Sequence, residues 1–280
     1  MTPPMTSPLT TTAASPSTAL TRVRPAGSGV LTQARVLTGR ALRRLHDPRL
    51  IVLSLLQPLI TLALFSQVFR GIANSPGFPP GVNYIDYLLP AILVTTGSQS
   101  AMSSGTGLAT DLRNGALARF RTLPISMTSL LVARSLFDLV RNAIQLIALI
   151  LAALLFGYAP AGGIGGTMLA LLIGLVVGVG LSWVFIALAS WVRNVELMQM
   201  IGLMVIFPLM FASSAFVPTA GLPPWLRVIA AINPLSYAVD AARGWALADP
   251  ALGATVSALL ASVALIAGAA VVASRGVRRP

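Results

Sequence analysis

Residues Thr167–Ser190 read TMLALLIGLVVGVGLSWVFIALAS, a run without one charged residue. A hydrocarbon core ~30 Å thick takes about 20 residues of helix to cross, so this stretch is long enough to be a membrane span. Five more apolar segments of similar length surround it, at Leu50–Phe69, Tyr87–Leu108, Leu136–Tyr158, Leu197–Val217 and Ala251–Ser274. The whole 280-residue chain agrees: 56% of it is hydrophobic, only 9% is charged, and its mean hydropathy is +0.84. A soluble domain carries about 25% charged residues, so most of this surface has to face lipid or other protein. The expected fold class is all-α, a polytopic membrane protein with six transmembrane helices.

The second and fourth segments are rich in Gly and Ser, and Gly174 and Gly178 form a small-xxx-small pair. Such pairs let helix backbones approach closely in lipid, and ordinary packing within the chain is the expected use. Ahead of the first span, Met1–Gly29 is rich in Thr, Ser, Pro and Ala with no apolar run. That composition buries no core and lacks the apolar centre of a secretory signal, so a disordered cytosolic tail is expected. From Val30 to His46 the apolar residues Val30, Ala34, Leu37, Ala41 and Leu45 recur at helical spacing, with Arg35, Arg40, Arg43 and Arg44 off that stripe. A basic amphipathic helix of this kind suits the headgroup layer. Asp47-Pro48 ends it.

Every basic residue is arginine. With the N-terminus inside, fifteen of the nineteen fall in cytosolic segments or their flanks, while Gly71–Asp86 and Ala159–Gly166 hold none. The positive-inside rule then places both termini in the cytosol. The formal charge of +12 reads as bilayer topology and not as nucleic-acid binding.

Three further features are candidates for mechanism. The loop after the second span, Asp111 to Ser126, mixes Arg113, Arg119 and Arg121 with Leu112, Leu117, Phe120 and Leu123. It is either a short, one-sidedly greasy helix that presses into a soluble partner, or a basic loop that only fixes topology. The segment from Phe216 to Trp245 is too apolar for an exposed loop and too interrupted by Pro218, Pro223, Pro224 and Pro234 for a seventh span. Two short re-entrant helices hinged near Asn233-Pro234 satisfy both facts, since irregular backbone at membrane depth must be covered by protein or line a cavity. Trp225, Tyr237 and Trp245 suit the interface. Third, Arg134, Asp138 and Arg141 are spaced i, i+4, i+7 near the cytosolic end of the third span. One helix face can pair them, as a functional site or as a structural ion pair. Met204, Phe207 and Phe211 on the fifth span are candidates for lining a substrate path, because methionine adapts to varied apolar ligands.

These pieces, in this order, resemble the type-2 ABC export permease family, and its daunorubicin/drug-resistance-type branch in particular. The residues that carry the resemblance are Gly115…Arg119-Phe120-Arg121-Thr122-Leu123-Pro124-Ile125-Ser126 and Leu222-Pro223-Pro224-Trp225…Asn233-Pro234-Leu235-Ser236-Tyr237…Arg243-Gly244. The family often has glutamate where this chain has Ala118. The resemblance covers Val30 to the C-terminus and implies a permease transmembrane domain over 30–280, with residues 30–46 as the interface helix (Leu37, Arg40, Arg43, Arg44). It implies a coupling helix at Asp111, Arg113, Gly115, Arg119, Phe120, Arg121, Leu123 and Pro124, seated on a separate ABC ATPase subunit. Pro223, Trp225, Asn233, Pro234 and Tyr237 would belong to an outer re-entrant cap. It further implies two ATPase copies that bind ATP and magnesium, a second permease copy or a related permease, membrane lipid around them, and export of a hydrophobic antibiotic, drug or complex lipid across a bacterial plasma membrane.

The residues themselves exclude several other chemistries. A P-loop needs a lysine for the β- and γ-phosphates, and this chain has none. With no cysteine and one histidine, His46, it offers no thiolate, metal or His-dependent catalytic set, so no catalytic, metal or cofactor residue is expected. An ion-gradient-driven carrier would need intramembrane carboxylates and broken helices at the midplane, where only Asp138 comes near. Export of polysaccharide or a lipid-linked glycan by the same permease family is the other alternative.

Overall fold

A computed structural model describes residues 48–68, 71, 78–114, 127–216 and 223–278. The tail, the expected interface helix with Leu37, Arg40, Arg43 and Arg44, and the loop from Gly115 to Ser126 lie outside them. Among the described residues there are eight α-helices and no strand. They are α1 (Pro48–Val68), α2 (Tyr84–Arg113), α3 (Met127–Leu155), α4 (Gly163–Val192), α5 (Val195–Phe211), α6 (Pro224–Ile232), α7 (Pro234–Ala246) and α8 (Leu252–Arg278).

Three of these, over Leu131–Leu155, Gly163–Val192 and Leu252–Gly276, are long and apolar enough to cross a membrane. The others fall short for separate reasons. α2 has the length but carries Thr95, Thr96, Ser98, Ser100 and Ser104, all buried inside the bundle. Their polarity is contained locally. Ser98 Oγ donates to the Val94 carbonyl at 2.9 Å and Thr95 Oγ1 to that of Ile92 at 3.2 Å. A helix sheathed by protein on all sides does not need a lipid-compatible surface. α5 is apolar but has 17 residues, ~25 Å of rise, short of the ~30 Å core.

Within the expected fifth span, 197–217, regular helix stops at Phe211. Pro208 lies inside it, and proline removes a backbone donor and crowds the preceding turn. The third span likewise stops at Leu155 and not at Tyr158, in a turn where Gly157 takes φ +88°.

α2 and α4 form the centre, and small residues set how close they lie. A Cβ on Gly97 would stand 2.7 Å from the Gly174 carbonyl oxygen, and one on Gly178 would stand 3.1 Å from that of Gly97. Gly174 and Gly178 thus serve packing within the chain. α3, α7 and α8 pack around this pair, and α1 and α5 lie on one side against α2. α4 passes into α5 through a tight corner. Arg193 takes a left-handed φ of 49°, and the Asn194 carboxamide oxygen caps α5 by accepting from the amides of Glu196 and Leu197. The bundle thus has a basic end, with Arg113, Arg134, Arg193 and Arg275, and an opposite end, with Asn83, Gly162, Asn233 and Arg243.

Candidate functional site: a capped break and a charged clasp

At the opposite end the chain leaves α5 and continues as irregular, buried backbone from Ala212 to Phe216. Irregular backbone leaves carbonyls without helical partners, and each one buried unpaired costs about 1–3 kcal/mol. Here side chains supply the donors. Asn233 Nδ2 donates to the carbonyls of Leu209 at 2.6 Å and Ala212 at 3.0 Å, and Ser213 Oγ to that of Met210 at 2.7 Å. Arg243 donates to Ser214 at 2.9 Å and Ala215 at 3.1 Å, and Tyr84 to Phe216 at 3.3 Å.

Two residues do most of this. Asn233 is the junction of the two short helices expected near Asn233-Pro234: its backbone ends α6, and its side chain caps α7 by accepting from the Leu235 amide. Arg243, on α7, is buried. Its guanidinium lies 3.6 Å from the centroid of the Tyr87 ring, 3.5 Å from the Asp240 carboxylate and 3.2 Å from the Tyr87 carbonyl. Cation, ring face and carboxylate together replace the water that a buried guanidinium gives up. Sequence reasoning placed Arg243 only inside a family motif, on the outer side. The available signal was the Asp240/Arg243 i, i+3 pair in an alanine-rich helix.

Along α5, Met204, Phe207 and Phe211 are exposed, Met204 to 80%. Phe207 and Phe211 meet with ring centroids 4.7 Å apart and planes tilted by 40°, and the series runs on through Phe216 to Phe65 of α1. Phe211, Pro208 and Ala212 form one wall of an apolar groove of about 420 Å³, with Trp225, Leu226 and Ile229 of α6 opposite. Pro223 and Trp225 are exposed, Pro234 is half-buried, and Tyr237 donates to the Ala231 carbonyl at 2.5 Å.

At the basic end, Arg134 of α3 reaches across to α2. It forms an ion pair with Asp111, donates to the Ser104 carbonyl at 3.2 Å, and lies 3.8 Å from Asp138. Arg141 flanks the same buried carboxylate at 3.8 Å. Gly107 makes this geometry possible, because a Cβ there would occupy the space of the Arg134 guanidinium. The seam continues up the bundle. Gln145 donates to the Ser54 carbonyl at 2.8 Å and accepts from Ser100 Oγ at 3.3 Å, and Gln57 donates to Gln99 at 2.9 Å. Asp111 and Arg113 are the described members of the expected coupling segment, and both are exposed. Among the described residues no group of three His, Cys, Asp or Glu side chains could hold a metal ion.

Because Gly107 and Arg134 share one space, their substitutions are expected to be non-additive. Gly107→Ala and Arg134→Gln should each lower the Tm of the purified protein, and the double variant should fall no further than the worse single one. A coupling of at least ~0.5 kcal/mol is expected in that cycle. Additive losses would mean that the clasp is not formed as described.

Comparison with known proteins adds a second line. Residues 32–247 match the family model described as ABC-2 type transporter. The chain is 33% identical over 199 residues, 71% of its length, to the daunorubicin resistance ABC transporter permease protein DrrB1 of Streptomyces coeruleorubidus, 69% of which is covered. It is 35% identical over 200 residues, 70% of its length, to the putative transport permease ycf38 of Porphyra purpurea, covering 67% of it. It is also 25% identical over 260 residues, 89% of each chain, to the probable doxorubicin resistance ABC transporter permease protein DrrC of Mycobacterium tuberculosis.

Proposed function

This chain belongs to the ABC-2 type transporter family, as a permease subunit, and from that premise we propose that it forms the membrane pathway of an ATP-driven exporter of hydrophobic compounds. The family match over residues 32–247 is the observation that carries the reading. In this scheme ATP binds to separate ABC ATPase subunits, two per complex. The permease works as a pair, with a second copy or a related chain. It sits in a bacterial plasma membrane with both termini cytosolic and six crossings. α1, α2 and α5 supply the crossings that length and apolarity together do not identify, and α6 with α7 forms a re-entrant cap on the outer side.

The basic end is the end that ATPase would reach. The loop 115–126 leaves α2 and returns through α3, and the Arg134 clasp ties those two helices together below it. A push on Phe120 and Leu123 would then move α2 and α3 as one body, and α2 is the core of the bundle. ATP drives such a switch only as far as its binding differs between the two states. Met204, Phe207 and Phe211 would face the other permease, where a substrate path needs apolar and adaptable side chains. The resistance functions named for the two bacterial relatives favour a drug-like or lipid-like cargo.

The test is co-expression with the genes that flank it, followed by purification and by ATPase and transport assays in nanodiscs. Phe120→Glu and Leu123→Glu put charges in place of two apolar residues of the loop, and each should weaken ATPase retention by at least about tenfold or uncouple hydrolysis from transport. If the chain purifies alone and both variants behave as wild type, the exporter reading is wrong.

A further inference from the structure

Gln57 stands near the middle of α1 and Gln99 near the middle of α2. With six crossings that level is the centre of the bilayer, where lipid offers an amide no hydrogen bond. Gln145 on α3 is engaged inside the bundle, by the Ser54 carbonyl and the Ser100 hydroxyl. The other two glutamines are less enclosed. Gln57 is exposed and Gln99 half-buried, on the side of the bundle where α1 and α5 pack against α2.

Gln57 Nε2 donates to Gln99 Oε1 at 2.9 Å, and Gln99 Nε2 lies 3.8 Å from the Met210 sulfur. The two amides therefore link α1 to α5 across α2. A carboxamide has two N–H donors and an oxygen that accepts twice. Gln57 Oε1 and one N–H of each amide take no part in these two bonds. Met210 stands one turn from Phe207 on α5, and Phe207 and Phe211 are both exposed. A polar pair with unused donors and an unused acceptor thus stands beside an apolar, aromatic wall.

We propose that the Gln57–Gln99 pair is the polar recognition point of the transport path, and that it takes an uncharged hydroxyl or carbonyl group of an otherwise apolar cargo. The inference rests on the exporter reading above and deepens it by naming the cargo's polar group. Two glutamines suit this role because each satisfies the other while the path is empty. Cargo exchanges that bond for bonds of its own, so a molecule with no polar group gains nothing here. A charged group would give up water for two neutral amides, a poor exchange. A second copy of the chain is the other partner that an exposed amide in a membrane helix can take. The aromatic wall and the Met210 thioether, which adapts to varied apolar shapes, favour cargo.

The experiment compares pyrenemethanol with ethylpyrene, which has a methyl group in place of the hydroxyl, as stimulants of ATP hydrolysis by the permease–ATPase complex in nanodiscs. Amounts are set as mole fractions in the lipid, so that unequal partitioning cancels. The alcohol should act at a mole fraction about 3- to 10-fold lower, the worth of one hydrogen bond. Gln57→Met/Gln99→Met keeps two unbranched side chains and removes both amides, and should bring the compounds within about twofold of each other. The chain has no cysteine, so Ile60→Cys, one turn from Gln57 on the same exposed face, reports on the intact amides. Alcohol at about ten times its half-maximal mole fraction should slow labelling of that cysteine by N-ethylmaleimide about tenfold. The wild-type comparison and the cysteine readout depend on no amide variant folding. Stimulation without preference, a preference that survives the double variant, or labelling that the alcohol does not slow would overturn the site. So would quantitative disulfide formation between two copies of Gln57→Cys, which would give the amides to the second copy. No response to either compound would also overturn it, whereas the exporter reading is decided separately, by the Phe120→Glu and Leu123→Glu variants.

Discussion

Arg243→Met is expected to lower the stability of the solubilised protein by about 3–5 kcal/mol, the range found when one partner of a buried charged network is removed. Methionine keeps the unbranched apolar stem of the side chain and ends short of the guanidinium, so the loss is chiefly one of donors and charge. The carbonyls of Ser214 and Ala215, on irregular backbone, would lose the donor that now reaches them at 2.9 and 3.1 Å. Buried acceptors left open cost about 1–3 kcal/mol each. The Asp240 pair adds less, because that carboxylate side chain is 43% exposed and solvent screens it. Lysine should not rescue the variant: a single ammonium does not reproduce a planar fork that spans three carbonyls while lying over the Tyr87 ring. A Tm unchanged in Arg243→Met would show that the capped break tolerates open carbonyls, and that water enters where the buried backbone is described.

The same residue shows where the sequence was legible and where it was not. α3, α4 and α8 are apparent from apolar length alone, and their apolar windows, Leu131–Leu155, Gly163–Val192 and Leu252–Gly276, overlap the expected spans. The junction at Asn233 was readable because Asn-Pro combines a cap with a residue fitted to the first helical turn. The end of α5 at Phe211 is not legible, because the uncharged stretch Ala212–Val217 continues past the backbone break that follows Pro208. Hydropathy registers side chains, and the break is a property of backbone hydrogen bonding. Apart from Ser213, the donors that mend it come from residues 20 or more positions away: Asn233 reaches Leu209, Arg243 reaches Ser214, and Tyr84 reaches Phe216 across 132 positions. No periodicity encodes such pairings. The i, i+4, i+7 spacing of Arg134, Asp138 and Arg141 did indicate one shared face. It gave no sign that Arg134 also spans to Asp111 over Gly107.

Two neighbouring glycines at the start of α4 should respond to alanine with opposite signs. A Cβ on Gly166 would overlap the Trp245 carbonyl oxygen and press on Ala246, both backbone of α7, whereas one on Gly165 would have nothing within 4 Å. Backbone cannot rotate aside as a side chain does, so Gly166→Ala must lever α4 off α7. That would strain the bond from the Gly162 amide to the Ala246 carbonyl, now 2.8 Å. Overpacking of this kind costs about 1–3 kcal/mol, occasionally more. Gly165→Ala should gain up to ~1 kcal/mol, because alanine has less backbone freedom to lose in a helix. Thermal unfolding of both variants in one detergent makes the comparison, with Gly165→Ala the control for helix propensity. The functional consequence follows from position. α7 carries Arg243 and is capped by Asn233, so a wedge at Gly166 displaces the helix that satisfies the broken end of α5. If that end closes the pathway on the outer side, Gly166→Ala should lose transport faster than it loses folded protein, and Gly165→Ala should keep both. Equal and small effects from the two substitutions would mean that α4 and α7 are separable there, and that the outer cap does not depend on this contact.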